Sequence, residues 1–361
     1  MPERLLYHFE PQKGWMNDPN GLIYYKGQYH AFFQHNPYGP VWGVMHWGHA
    51  VSEDLIHWKE LPIALYPDKP YDKDLGCWSG SAVEKDGRLY LFYTSVSHTL
   101  GQTQSVAFSD DGVHFEKYKG NPVIPCFPDD GSKDFRDPKV TKIGGEYFMV
   151  CGSGKEKTGR ILLFKSRDLL RWEYGGVLYE NAEYGAVFEC PDFFPLGDKF
   201  VLMFSQMGVK THSTVMLIGN FDGRTFTTES AQRPEAGPIF YAPQTFLDDQ
   251  GRRIMIGWFY GWGKEPDEDA EYTGALTIPR EITVENGRIK NYPVAEAAGL
   301  LKGSDEHAAI EGNTLTVTDD AGSTVFAAEY ESIRDIRFLR DTRTLEGFVN
   351  GGEDSFSVWL N

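Results

Sequence analysis

Three acidic residues stand where this sequence could do chemistry. Asp18 lies in Trp15-Met16-Asn17-Asp18-Pro19-Asn20-Gly21, Asp137 in Phe135-Arg136-Asp137-Pro138, and Glu189 in Phe188-Glu189-Cys190-Pro191-Asp192. Taken singly, Asp-Pro and Asn-Gly would only make turns, since these residues dominate turns. Gathered in one cavity, three carboxylates repel one another. Their pKa values then separate, and one stays ionised while another holds a proton. Cleavage of a glycosidic bond asks for that pairing: a nucleophile or base, and a general acid for the leaving oxygen. Whether the three meet depends on the elements that carry them.

Those elements repeat. Ser52-Glu-Asp54-Leu-Ile-His-Trp58 returns as Ser109-Asp-Asp111-Gly-Val-His-Phe115 and as Ser166-Arg-Asp168-Leu-Leu-Arg-Trp172. A looser copy is Asn220-Phe-Asp222-Gly-Arg-Thr-Phe226, so the steps between copies are 57, 57 and 54 residues. Ahead of each copy lies a glycine turn followed by an apolar strand: Gly27 with Tyr29–Phe33, Gly87 with Leu89–Tyr93, Gly145 with Tyr147–Val150, and Gly197 with Phe200–Phe204. Gly251 with Ile254–Trp258 makes a fifth. Five units of short strands and tight turns, with weak helical periodicity, predict an all-β fold: a five-bladed β-propeller of four-stranded blades. A β-sandwich of irregular strands would leave the even spacing unexplained. Asp18, Asp137 and Glu189 open three of the units, and Trp78-Ser79-Gly80-Ser81 and Tyr241-Ala242-Pro243-Gln244 open the other two. In a propeller the innermost strands begin at one end of the central channel, so the acids should converge there. The repeats stop near Pro293. We therefore expect a propeller over residues 1–294 and a small β appendage over 295–361, too small to be stable alone.

Composition narrows the functions open to such a chain. It has 361 residues, with 35 Lys and Arg against 52 Asp and Glu, a formal charge of −17. That balance argues against nucleic-acid or membrane partners, which need a basic face. No apolar run approaches the ~18 residues of a membrane helix; the densest, Ile254 to Trp262, is shorter and contains Gly257 and Gly261. Cys77, Cys126, Cys151 and Cys190 are scattered and read as reduced core residues. With no apolar leader at the N-terminus, the cytoplasm is the expected location. Aromatic residues make up 14%, well suited to a β-rich core and to stacking on sugar rings.

In this order, Trp-Met-Asn-Asp-Pro-Asn-Gly, Arg-Asp-Pro and Glu-Cys-Pro resemble the signatures of glycoside hydrolase family 32, the invertase, inulinase and levanase family. Phe-Phe-Gln-His-Asn-Pro around Gln34, Trp-Gly-Val-Met-His-Trp-Gly-His from Trp42, and Trp-Ser-Gly-Ser-Ala at 78–82 fit as well. So do Phe-Tyr-Ala-Pro-Gln-Thr-Phe at 240–246 and Leu-Thr-Ile-Pro-Arg-Glu at 276–281. The resemblance runs from about Tyr7 to Val294 and implies a five-bladed propeller followed by a β-sandwich. It implies Asp18 as nucleophile, Asp137 as transition-state stabiliser and Glu189 as acid/base. Asn17, Gln34 and Ser79 would offer neutral groups to a polyol, Arg136 would bind hydroxyls or keep nearby acids ionised, and Trp42, Trp78 and Trp262 would supply apolar walls. The substrate would be sucrose, a short fructo-oligosaccharide or a fructan, cleaved from its fructosyl end with retention. Nothing in the sequence fixes the oligomeric state.

Other motifs fall away. His46 and His49 have an odd spacing that sends their rings to opposite faces of a strand, so no metal site is expected, and no cofactor is called for. Gly152-Ser-Gly154-Lys155 lacks phosphate-loop spacing and reads as a hairpin loop. The segment after Ala295 is shorter than the family's usual sandwich. Ile239 stands where relatives often carry a charge, which predicts a loose leaving-group pocket and no preference for sucrose 6-phosphate. Three competing readings remain: a fructosyltransferase using the same groups, an inverting arabinan or xylan hydrolase, and a non-catalytic sugar-binding propeller.

Overall fold

The computed structural model describes residues 3–209, 213–259, 270–285 and 287–361. Among the described residues five sheets follow one another along the chain, each built on four antiparallel strands and the first joined by a short fifth, opened by strands Gly14–Tyr25, Gly76–Lys85, Phe135–Ile143, Phe188–Leu196 and Phe240–Leu247. Among the described residues the only helix is a 3-10 segment, Ala295–Leu300. Two-residue hairpins join first to second strands in the first four sheets, and a five-residue loop does so in the fifth. Lys26-Gly27 and Asp86-Gly87 place both turn residues at positive φ, the twist-matched geometry of two-residue β-hairpins.

The repeated Ser-x-Asp motif turns out to be a joint. Asp54 Oδ1 accepts the amides of Ile56 and His57 at 3.0 and 2.8 Å, and Asp111, Asp168 and Asp222 do the same two and three residues ahead. In each copy the residue after Asp sits at positive φ: Leu55, Gly112, Leu169 and Gly223. The side-chain oxygen stands in for a backbone acceptor and swings the chain from third strand to fourth. Trp58 and Trp172 close their turns by donating Nε1 to Leu55 O and Leu169 O.

Apolar clusters lie between successive sheets. Phe32, Trp47, Leu89 and Tyr93 join the first and second; Phe92, Val106, Phe135 and Met149 the second and third. Leu163, Phe188, Leu202 and Phe204 join the third and fourth, and Phe194, Met203, Phe240 and Met255 the fourth and fifth. The fifth sheet packs Phe246, Ile254 and Ile256 on Leu22, Ala31 and Phe33 of the first. A two-residue strand, Tyr272–Thr273, pairs in parallel with Gly14 and Trp15.

Beyond Pro293 the chain forms two three-stranded sheets, 308–329 and 336–359, which share Leu315, Val317, Phe326, Phe338 and Phe356 in one cluster. Leu339 and Phe348 of the second sheet also enter the cluster of Phe9, Phe246, Ile278 and Val294, so this tail is built into the rest of the fold. Gly152 to Lys155 do not form the expected loop: they end the strand Glu146–Lys155, and the hairpin is Glu156-Lys157. The two glycines are needed because a Cβ at Gly152 or Gly154 would meet Phe188 O at 2.2 Å or Ala186 O at 1.9 Å.

Candidate active site

Each of the five opening strands breaks its ladder near its start. Register shifts fall between Met16 and Pro19, between Trp78 and Gly80, between Arg136 and Lys139, between Glu189 and Asp192, and between Tyr241 and Gln244. A bulge re-aims side chains that regular alternation would send into the sheet packing. In three of the five the bulge contains X-Pro, at Pro138, Pro191 and Pro243, where a missing N–H costs no ladder bond. Asp137, Cys190 and Ala242, at matching positions, sit at φ of 62°, 47° and 49°, a region costing about 1–3 kcal/mol for a residue with a side chain. Their displaced amides are all met: Asp137 N donates to Thr94 Oγ1 at 2.8 Å, Cys190 N to Asp137 Oδ2 at 2.8 Å, and Ala242 N to Ser205 Oγ at 3.1 Å.

The bulges empty into one pocket of about 250 Å³, lined by Asp18, Asp137 and Glu189 together. Ser79 Oγ donates to Asp18 Oδ2 at 2.6 Å, and the Cys190 thiol lies 3.4 Å from the same oxygen. Glu189 is gripped at both oxygens. Arg136 donates Nε and Nη2 to Oε1 at 3.2 and 3.1 Å, and Tyr241 donates its hydroxyl to Oε2 at 2.5 Å. The other arm of Arg136 reaches Gln102 Oε1 and Asp134 Oδ1 at 3.2 and 3.0 Å.

Burial sets the electrostatics. It is the main cause that lifts Asp137 to about 7; Arg136 pulls it down, and the charges of Glu189 and Asp18 push it up again. Burial likewise raises Asp18, with Ser79 and Asn17 opposing by hydrogen bonds. Burial and then Glu189 raise Tyr241 far above the usual phenol range, so it stays a neutral donor. The Cys190 thiol is pushed well up by burial and its acidic neighbours.

Residues 8–293 match the model of the glycosyl hydrolases family 32 N-terminal domain. The chain belongs to glycoside hydrolase family 32. Sucrose-6-phosphate hydrolase of Escherichia coli is 39% identical over 331 residues, covering 86% of this chain and 68% of that protein. Levanase of Bacillus subtilis is 38% identical over 326 residues, 80% of this chain and 46% of the levanase. The chain thus spans about two thirds of the one and under half of the other. Among solved structures, a mutant of the Bombyx mori GH32 beta-fructofuranosidase in complex with sucrose aligns with a TM-score of 0.85 at 34% identity, over 99% of this chain and 89% of that one.

In this family 32 chain, Asn17, Gln34, Trp42, Trp78, Ser79 and Arg136 all line the pocket with the three acids. Trp42 and Trp78 form an edge-on pair at 6.1 Å, Asn17 is fixed by Trp15 Nε1, and Gln34 by the carbonyl of Cys77. Trp262 lies outside the described residues. Among the described residues, four that line the pocket were not picked from the sequence: Gln102, Asp134, Cys190 and Tyr241. Tyr241 had a signal, since it opens the fifth strand in phase with Glu189; Gln102 starts a third strand and had none. Ile239 does not line the pocket. It packs against the cluster of Leu5, Phe259 and Ala275, so it cannot act on the leaving-group side as expected. The two histidines part as their spacing implied: His49 hydrogen-bonds buried His30 at 2.9 Å, whereas His46 turns to Val44 O.

Proposed function

We propose that the chain is a retaining, exo-acting β-fructofuranosidase that removes terminal non-reducing fructosyl units from sucrose and short fructans. Its carrying observation is the single pocket in which Asp18, Asp137 and Glu189 meet, in a chain of family 32. Asp18 attacks the anomeric carbon and forms a covalent fructosyl-enzyme. Glu189 gives a proton to the leaving oxygen, then takes one from the water that releases fructose, so two inversions give net retention. Asp137 binds fructose hydroxyls and tightens those bonds as positive charge builds on the ring. Arg136 and Tyr241 aim Glu189; Asn17, Gln34 and Ser79 meet further hydroxyls, and Trp42 and Trp78 wall the ring.

The five sheets close as a five-bladed propeller over residues 1–294, a reading supported by the clusters between neighbours and by the packing of the fifth sheet on the first. Residues 295–361 form a reduced β-sandwich, supported by two sheets around one core. All four cysteines are free, which supports a reducing compartment, the cytoplasm. No helix among the described residues is long and apolar enough to cross a membrane.

The test is to incubate the protein with sucrose, inulin and levan and resolve the products over time. Free fructose should rise from the start, with glucose from sucrose. Products longer than the substrate would make the chain a transferase, and internal fragments would overturn exo action.

A further inference from the structure

A second cleft, of about 410 Å³, opens beside the first sheet, lined by Tyr66, Tyr71, Tyr118, Asp68, Lys69 and Lys119 among others. Its volume falls in the ~300–1,000 Å³ range of small-molecule sites. Exposed apolar side chains lead to it from the catalytic pocket. Trp42 belongs to the pocket wall; Tyr38, Val41 and Val44 share its loop, and all are exposed, Tyr38 by 82%. Tyr66, 51% exposed, belongs to the second cleft. The buried ring of His46 ties the two ends together, with Tyr38 edge-on to it at 5.6 Å and Tyr66 edge-on at 5.7 Å.

Sheet register sets the span. Gln34 in the pocket pairs with Trp47, and Trp47 pairs with Leu65. Leu65, the neighbour of Tyr66, is therefore two strand spacings from the pocket wall, about 10 Å. The loop is held in place: Asn36 Nδ2 donates to Val41 O at 2.9 Å, and Tyr38 N donates to Asn36 Oδ1 at 3.1 Å.

We propose that this strip, from Trp42 over Tyr38 to the Tyr66–Tyr71–Tyr118 cleft, is a binding track for the body of a fructan chain whose terminal unit occupies the catalytic pocket. A contiguous exposed apolar surface marks an interaction site. Tyrosines offer a flat apolar body to a sugar ring and a hydroxyl to its oxygens, and Asp68, Lys69 and Lys119 add donors and acceptors at the rim. The track begins at the pocket wall, which suits a polymer held at its end. The inference rests on the fructosidase reading, and it adds chain length as the property recognised away from the reacting bond. Contacts so far from that bond are equal in ground and transition states, so they lower KM and leave kcat alone.

The experiment measures kcat and KM for sucrose and for long-chain inulin and levan, in wild type, Tyr66→Ala, Tyr38→Ala with Tyr66→Ala, and Tyr66→Trp. In the double variant KM for one of the long fructans should rise about tenfold, the factor that 1.4 kcal/mol represents. Its kcat should hold, the sucrose constants should stay within about twofold, and Tyr66→Trp should keep the wild-type KM. Equal changes for sucrose and fructan, or none for either fructan, would overturn the track. So would a concentration-dependent dimer in size-exclusion chromatography that Tyr66→Ala dissociates, because the patch would then be an interface between copies. A wild type that cleaves none of these sugars would instead overturn the fructosidase reading itself.

Discussion

Asp137 is held in the fold against the preference of its own charge. Its carboxyl rises from an ordinary 3.8 to about 7, chiefly through burial. A folded pKa above the unfolded one contributes stability that is complete below about pH 4 and is lost as the pH climbs through 7. Asp137→Asn cannot ionise, so its stability relative to wild type should increase from pH 4 to pH 8, by on the order of a few kcal/mol. Denaturant midpoints of both proteins across that range check this; a constant difference would remove burial as the cause. Activity should move the other way, as strained sites trade stability for function. For Asp18 and Glu189, the two groups proposed to react, the losses should be larger. Asp18→Asn should cost more than about 10⁴-fold in kcat, as loss of other covalent nucleophiles does, with an unchanged far-ultraviolet spectrum. Glu189→Gln should cost about 10²–10⁴-fold, and less on a substrate whose leaving group needs no proton. Retention of more than a few per cent of activity by Asp18→Asn would move the nucleophile elsewhere. The acids were legible because they recur in phase with the repeat. Gln102 and Asp134 were not, because their role runs through the far arm of Arg136, which no spacing reveals.

The opening strands do their work through their irregularities. Asp137, Cys190 and Ala242 keep left-handed backbones because Thr94, Asp137 itself and Ser205 receive their amides. Thr94 lies on the second strand of the second sheet, buried, and also donates to Gln104 Oε1 at 2.9 Å. Thr94→Val keeps the shape but strands the Asp137 amide. It should cost about 1–3 kcal/mol and lower kcat, whereas Thr94→Ser should keep most of both. Urea denaturation and sucrose kinetics measure the pair; equal stability of Val and Ser variants would contradict this account of the bulge. Strand positions, hairpin glycines and the recurrence of the Ser-x-Asp motif were legible because each is a local pattern, whereas the motif's role as a joint was not read. The bulges were not, because a bulge is defined by the partner strand. Gly152 to Lys155 misled for the same reason: the glycines answer to the backbones of Phe188, which opens another sheet, and of Ala186 just ahead of it.

Across the whole molecule, the segment beyond Pro293 is joined to the rest through buried charge. Arg280 of the fifth sheet pairs with Glu235 at 2.6 Å and with Glu346 at 2.9 Å, and donates to Ser355 and Ser357. Asp341 accepts the amides of Leu6, Tyr7 and His8, and also bonds the His8 ring. Burial alone would lower His8, but Asp341 and Glu346 hold it up at about 9. Arg280→Met would leave buried Glu235 without its cation and Glu346 with His8 alone, and should cost about 3–5 kcal/mol, read from the denaturant midpoint; a loss below 1 kcal/mol would mean the junction is apolar in substance. None of this junction was legible, because its partners stand up to 335 residues apart. The molecule as a whole is read as a device that presents Asp18 below a fructosyl ring and Glu189 beside its leaving oxygen. The stereochemistry of transfer tests that most directly. With sucrose as donor and methanol competing with water, the configuration of the methyl fructofuranoside can be read by nuclear magnetic resonance. Double displacement through Asp18 predicts the β-anomer; the α-anomer would mean a single inverting displacement and would contradict the account.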